Sequence, residues 1–127
     1  MNKTILIVGT FDTKNDELRF IQGVILDQGG NTLTMDVSVL KDPKKPTDIS
    51  KHDVANAGDS GIESIIALDD ENEAMQVMAL GASRLTAKAY GDGLIDGVII
   101  LGGTMGTDLA LDVLKLVVDV QILEHSS

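Results

Sequence analysis

The sequence predicts an α/β fold in which helices cover both faces of a mainly parallel sheet. Apolar runs without polar alternation, typical of central parallel strands, are separated by segments of helical periodicity. Two of these runs, residues 4–8 and 94–101, lead directly into glycine-containing loops. The order strand, helix, strand, helices, strand, helix favours right-handed crossovers. Together these observations predict a Rossmann-like three-layer sandwich.

The first part of the chain supplies two strands joined by a helix. Residues 4–8 form the first predicted strand, and Thr13 is the predicted N-cap of a helix that ends at Gly29. Alternation of apolar and polar residues over 31–39 predicts the second strand. Residues 41–46 contain both prolines of the chain, which predicts an excursion loop because proline resists both helix and central strand.

The rest of the chain continues the alternation. Ser50 is the predicted N-cap of a short helix, and residues 69–90 form the longest helical pattern. Residues 94–101 predict the third strand, and a helix over about 108–118 and the start of a fourth strand at 120–123 follow it.

Domain organisation follows from this order of elements. We expect residues 1–123 to be one Rossmann-like nucleotide-binding domain and residues 124–127 to be a tail or tag remnant. The fourth strand has only begun when the sequence stops, so we expect a fragment of a longer, two-domain protein.

Composition disfavours several classes of partner. The 127 residues carry 20 acidic and 10 basic side chains, a formal net charge of −10. This charge disfavours nucleic acid and anionic membranes, because cations supply most non-specific affinity for phosphate. The chain has no cysteine and no apolar run long enough for a signal peptide or membrane span, so we expect a cytoplasmic protein. The two histidines, His52 and His125, are expected at the surface, and no metal site is predicted.

Two strand-to-helix loops carry the candidate binding residues, since backbone N–H groups at such junctions hold phosphate. Lys14 would add a cation, and Asp12 would orient Mg²⁺ or a ribose. Asp36, near the end of the second strand, either binds ribose or simply ends the strand. Glycines at these junctions can also serve only as tight turns. The first loop contains Gly9, Thr10, Phe11, Asp12, Thr13 and Lys14, and the second contains Gly102, Gly103, Thr104, Met105, Gly106 and Thr107.

Four ordered motifs resemble the N-terminal domain of the Tm-one-like family, named for a plant protein that confers resistance to tomato mosaic virus. They are residues 9–18, 48–50, 79–82 and 96–107, within a resemblance that covers residues 4 to about 118. The resemblance implies an ATP-binding Rossmann-like domain that is followed by a second α/β domain and associates into oligomers. It also implies that the two glycine-containing loops contact the nucleotide.

Two positions depart from the family pattern. Met105 stands where relatives usually have glycine, and Glu71 stands where they tend to have arginine.

The sequence favours an ATP-binding domain, with the threonines of both loops as hydroxyl donors to the phosphates. One alternative is an oligomerisation or interaction module whose chemistry lies in a C-terminal domain. Another is an enzyme half-site in which Asp12 and Lys14 act on a phosphorylated small molecule.

Overall fold

The computed structural model describes residues 3–39, 41–67 and 71–101. Within them three strands form a parallel sheet in the order β2-β1-β3, with four helices. This confirms the predicted α/β fold. The elements are β1 (Thr4–Gly9), α1 (Asn15–Asp27), β2 (Asn31–Asp36), α2 (Lys51–Ala57), α3 (Ile62–Ile66), α4 (Glu71–Gly91) and β3 (Gly97–Leu101).

Apolar side chains pack on both faces of the sheet. Successive residues of a strand point to opposite faces, so β1 contributes to two cores. On one face Ile7 packs with Leu18 of α1. On the other face Leu6 belongs to a larger cluster with Val54 of α2 and Met78 of α4. The sheet is therefore the middle of three layers.

The second strand is shorter than the alternating pattern predicted. It ends at Asp36 and not at residue 39. The backbone N–H of Ser38 donates to Asp36 Oδ1 at 3.0 Å, and the Ser38 hydroxyl donates to the same oxygen at 2.7 Å. These local bonds turn the chain at the point where a longer strand would continue.

The predicted cap of the first helix was wrong. The N-cap of α1 is Lys14, and no side chain among the described residues caps this helix by a hydrogen bond. Thr13 lies one position too early, and its Oγ1 is 3.1 Å from Oγ1 of Thr10. The predicted C-terminal end is confirmed, because α1 gives way to Gly29 in the left-handed region with a φ of 87°.

The middle of the chain follows the sequence patterns closely. Ser50 caps α2 in a capping box with Asp53, as predicted. The predicted long helix is present as α4, and β3 starts at Gly97, three residues later than predicted. The short helix α3 was not predicted, because five residues are too few for a periodic pattern.

Helices α2 and α4 approach each other through glycines. A Cβ at Gly58 would lie 2.5 Å from the carbonyl oxygen of Val77, and a Cβ at Gly81 would overlap the carbonyl oxygen of Val54. The absence of side chains at these two positions lets the helix backbones come close together.

Candidate functional site

The strand order switches direction at β1, and this is where α/β sheets have a crevice at their carboxyl edge. From β1 the chain crosses through α1 to β2, and from β2 it returns over the opposite face to β3 on the far side of β1. Open α/β sheets bind ligands where the strand order switches direction in this way. The loop after β1 begins beside the end of β3, because Gly9 pairs with Leu101.

The carboxyl ends of all three strands are aligned at Gly9. It pairs with Leu101 of β3 on one side and with Asp36 of β2 on the other. A Cβ at Gly9 would lie 2.7 Å from the Leu101 carbonyl oxygen and 2.7 Å from Cδ1 of Leu18. Glycine is therefore needed here for the close approach of β1, β3 and α1.

The loop after β1 uses several of its own amide groups. The N–H groups of Thr13 and Lys14 donate to the carbonyl oxygen of Thr10 at 3.1 and 2.8 Å. The N–H of Phe11 donates to Asp36 Oδ1 at 3.2 Å. These donors hold the loop in shape, so a bound phosphate would have to find other N–H groups.

The first turn of α1 offers such donors at the same edge. In an α-helix the first amides, here those of residues 15–17, have no partner within the helix. The loop and the first turn of α1 carry the carboxylates of Asp12, Asp16 and Glu17 against the cation of Lys14, and Lys44 Nζ lies 3.8 Å from Asp16 Oδ1. A bare anion would be repelled by these carboxylates, whereas a phosphate group that carries Mg²⁺ would be better matched.

Phe11 contributes only backbone to this site. Its side chain is fully buried in the cluster with Ile7 and Leu18. The guanidinium carbon of Arg19 lies 5.1 Å from the centre of the ring, as in a cation–π contact. The ring is thus part of the core under α1 and is unavailable to stack on a base.

Asp36 is a buried carboxyl group at the end of β2. Its residue is 1% exposed, and Oδ1 accepts from the Phe11 amide and from both the amide and the hydroxyl of Ser38. Its second oxygen, Oδ2, is buried and has no hydrogen-bond partner among the described residues. Burial raises the pKa of Asp36 above its usual range, although the bonds from Ser38 and Phe11 oppose this and the charge of Asp12 adds to it.

Asp36 lines a pocket of about 120 Å³ between the end of β2, the proline loop and the start of α2. One wall is Lys51, whose Nζ lies 2.8 Å from Asp42 Oδ1 and donates to the Lys41 carbonyl oxygen at 3.1 Å. The hydrogen bond from Lys51 lowers the pKa of Asp42. The other lining residues are Pro43, Pro46, Thr47, Ser50 and His52.

The sequence did not point to this pocket. Lys51 is 8% exposed, yet as the first residue of a polar helix it has the pattern of a surface lysine. The available signal was the proline loop, residues 41–46, which starts five residues after Asp36, because a loop at a strand's carboxyl end forms one side of ligand pockets in α/β folds. His52 lies at this pocket and is exposed, as predicted.

The raised pKa of Asp36 makes a prediction for stability against pH. A carboxyl group with a raised pKa in the folded state stabilises the fold below its unfolded pKa of about 3.8, and this contribution is lost as pH rises through the folded pKa. We therefore expect Asp36→Asn, which keeps the carbonyl oxygen, to gain stability relative to the original chain as pH rises from about 3 to about 7. Urea denaturation across this range measures the difference.

The matched control is Asp42→Asn, for which the sign is opposite. Because the pKa of Asp42 is lowered, its charged form stabilises the fold, and this contribution is lost as pH falls through the folded pKa. The control variant should therefore lose stability relative to the original chain as pH rises. Difference profiles of the same sign for both variants would contradict the assignment.

The remaining predicted site residues lie outside the described part of the chain. These are the second loop, residues 102–107, together with the predicted helix, fourth strand and tail that follow it. Met105 belongs to that loop, and the side chain of Glu71 is likewise not described. What the structure brings together is the first loop, Asp36 and the end of β3.

Metal-ligating clusters and membrane-spanning helices are both absent from the described part of the chain. Within residues 3–39, 41–67 and 71–101, no group of three or more histidine or carboxylate side chains is placed to hold a metal ion. In the same ranges, no helix has both the length and the apolar character needed to cross a membrane.

The relatives found by comparison with known proteins carry the same family name, UPF0261. The chain is 48% identical over 109 residues to a UPF0261 protein of Brucella suis biovar 1, covering 86% of this chain and 26% of that protein. It is 40% identical over 110 residues to a UPF0261 protein of Clostridium tetani, covering 87% of this chain and 27% of the relative. The chain thus spans about a quarter of the length of these curated relatives.

No solved structure matches this chain. The family match covers almost all of it. Residues 3–122 match the family described as "Uncharacterised protein family (UPF0261) N-terminal domain", and the chain therefore belongs to UPF0261.

Proposed function

We propose that this domain binds a nucleotide, ATP together with Mg²⁺, in the crevice at the carboxyl edge of the sheet. The observation that carries the proposal is Asp36. Its Oδ1 fixes the loop after β1, and its buried Oδ2 lacks a partner among the described residues while the residue lines a pocket. A buried carboxylate oxygen without a donor is costly, and ribose hydroxyl groups are donors that can satisfy it.

The phosphates would lie over the ends of β1 and β3. Lys14 would neutralise charge there, and the hydroxyl groups of Thr10 and Thr13 would donate hydrogen bonds. Three amides of this loop already donate to Thr10 or Asp36. The backbone donors to the phosphates would therefore come from the first turn of α1 and from residues 102–107. Asp12 is the carboxylate proposed to orient Mg²⁺, which prefers oxygen ligands and keeps several waters.

Two further considerations support this proposal. The resemblance to the N-terminal domain of the Tm-one-like family implies ATP as the ligand and the same two loops as its contacts. The UPF0261 relatives are about four times as long as the matched region, which leaves room for the C-terminal α/β domain that the resemblance implies. We propose that the full-length protein uses the nucleotide together with that second domain.

The first test is calorimetric titration of the folded chain with ATP and Mg²⁺. We expect binding, and we expect Lys14→Ala to weaken it about tenfold because a charged hydrogen bond to phosphate is lost. The matched control is Lys88→Ala in the last turn of α4. This lysine lies towards the opposite edge of the sheet, so its removal should leave the affinity unchanged.

The second test isolates the role of Asp36. Asp36→Asn should weaken ATP binding about tenfold, yet change the affinity for 2′,3′-dideoxy-ATP by less than about twofold, since that analogue lacks the ribose hydroxyl groups. If Asp36→Asn loses the same affinity for both ligands, Asp36 does not bind the ribose hydroxyl groups. If the folded chain shows no heat of binding at millimolar ATP, the proposal that it binds a nucleotide is wrong. The alternative of an oligomerisation or interaction module then explains the chain better.

A further inference from the structure

The pocket beside Asp36 contains two buried side chains with unused hydrogen-bonding capacity. Asp36 is 1% exposed, and its Oδ2 has no hydrogen-bond partner within residues 3–39, 41–67 and 71–101. The side chain of Lys51 is 9% exposed, and its Nζ contacts Asp42 Oδ1 at 2.8 Å and the Lys41 carbonyl oxygen at 3.1 Å. An ammonium group has three N–H donors, so a third remains beyond these two contacts. The pocket can therefore offer a ligand one acceptor and one donor.

The charges around this pocket disfavour a phosphate group inside it. It is lined by the carboxyl groups of Asp36 and Asp42, by the ammonium group of Lys51 and by the exposed His52. The charge of Lys51 is already paired with Asp42, and burial raises the pKa of Asp36, so negative charge is already costly here. A phosphate would add about two negative charges beside these carboxyl groups. Hydroxyl groups fit better, because they are uncharged and can both donate and accept hydrogen bonds.

The volume of the pocket limits what it can hold. It measures about 120 Å³, whereas pockets that enclose a whole drug-sized ligand measure about 300–1,000 Å³. This pocket can therefore enclose only one part of a nucleotide. It lies between the carboxyl end of β2 and the proline loop, at the edge of the sheet where the proposed nucleotide binds. The part that suits both its size and its charge is the diol side of the ribose.

We propose that Lys51 is a specificity-determining residue of this site and that the pocket accepts an uncharged vicinal diol. One ribose hydroxyl would donate to Asp36 Oδ2, and the adjacent hydroxyl would accept from Lys51 Nζ. Asp42 excludes nucleotides that are phosphorylated on the 2′ or 3′ oxygen, because it already pairs with the charge of Lys51. Since the diol belongs to the proposed nucleotide, this role of Lys51 rests on the proposed function.

Replacement of Lys51 by methionine tests the contact with the diol. Lys51→Met keeps a long unbranched side chain, and the side chain of Asp42 is 87% exposed, so no charge is left buried by the loss of its partner. We expect this variant to lose about tenfold in ATP affinity but less than about twofold in affinity for 2′,3′-dideoxy-ATP, which lacks both hydroxyl groups. The matched control is Lys45→Met in the proline loop. Lys45 is exposed and lies outside the lining of the pocket, so its replacement should leave both affinities unchanged.

Replacement of Asp42 by asparagine tests the exclusion of phosphate. We expect the original chain to bind 2′-phospho-ATP at least about tenfold more weakly than ATP. Asp42→Asn should reduce this difference about tenfold, because Lys51 then has an unpaired charge for the added phosphate. The reduction should disappear in the double variant with Lys51→Met. The control is Glu63→Gln in α3, which changes the net charge equally and should leave the difference as it is.

The two single variants separate a contact with the ligand from a purely structural role. If the pair of Lys51 and Asp42 serves only to hold the proline loop, both variants should weaken binding and neither should gain affinity for 2′-phospho-ATP. That result would overturn the proposal, as would equal losses of ATP and 2′,3′-dideoxy-ATP in Lys51→Met. In both cases ATP would still bind to the original chain, and the proposed function would stand. If the original chain does not bind ATP, the proposed function and this role of Lys51 are both wrong.

Discussion

We expect Gly81→Ala to lower the free energy of unfolding by about 3 kcal/mol or more. A Cβ at this position would overlap the carbonyl oxygen of Val54 and come within 2.8 Å of its carbonyl carbon. Both belong to the backbone of α2, which cannot rotate away as a side chain can. The helices α2 and α4 would have to separate, and Val54 and Met78 would lose their packing against β1.

The control for this prediction is the same substitution in α1. Gly23 lies inside a helix, and a methyl group added there would have no atom within 4 Å, so Gly23→Ala meets no obstacle. It should raise stability by about 0.5–1 kcal/mol, because alanine loses less conformational entropy than glycine in a helix. Urea denaturation of the two variants measures both effects. A loss of less than about 1 kcal/mol for Gly81→Ala would show that the two helices can adjust without cost.

The fold could be predicted from the sequence where a pattern is local. The apolar run of β1, the periodicity of α4 and the capping box at Ser50 all act within a few residues, and all three are present. The end of β2 was missed because it depends on the side chain of Asp36, which bonds to Ser38 two positions later. That spacing is typical of an Asx turn and was the available signal.

The candidate site was predictable only in outline. Parallel topology alone brings the loop after β1 to the carboxyl edge, so its position followed from the strand order. The burial of Phe11 and of Lys51 did not follow, because each depends on a distant partner. Phe11 is covered by α1 and Arg19, whereas Lys51 is held by Asp42 across the proline loop. Such contacts are set by tertiary packing and leave no mark on periodicity.

The second large effect is expected for Gly9→Ala, at the centre of the proposed site. The added methyl group would lie 2.7 Å from the carbonyl oxygen of Leu101 and 2.7 Å from Cδ1 of Leu18. Leu18 is fully buried, so neither neighbour can move freely. We expect a loss of about 1–3 kcal/mol in the free energy of unfolding, since the ends of β1 and β3 must move apart. The same movement should weaken ATP binding by at least about tenfold in protein that is still folded.

Gly97→Ala provides the comparison, because it lies in the same strand pair at the opposite edge of the sheet. A Cβ there would lie 3.3 Å from Cδ1 of Ile5, the end of a flexible side chain, so less than about 1 kcal/mol should be lost. Its ATP affinity should equal that of the original chain, because Gly97 is four residues from Leu101. If the two variants lose stability and affinity equally, the effect belongs to the strand pair as a whole. If Gly9→Ala is destabilised but binds ATP normally, the close approach at Gly9 serves the fold and the nucleotide lies elsewhere.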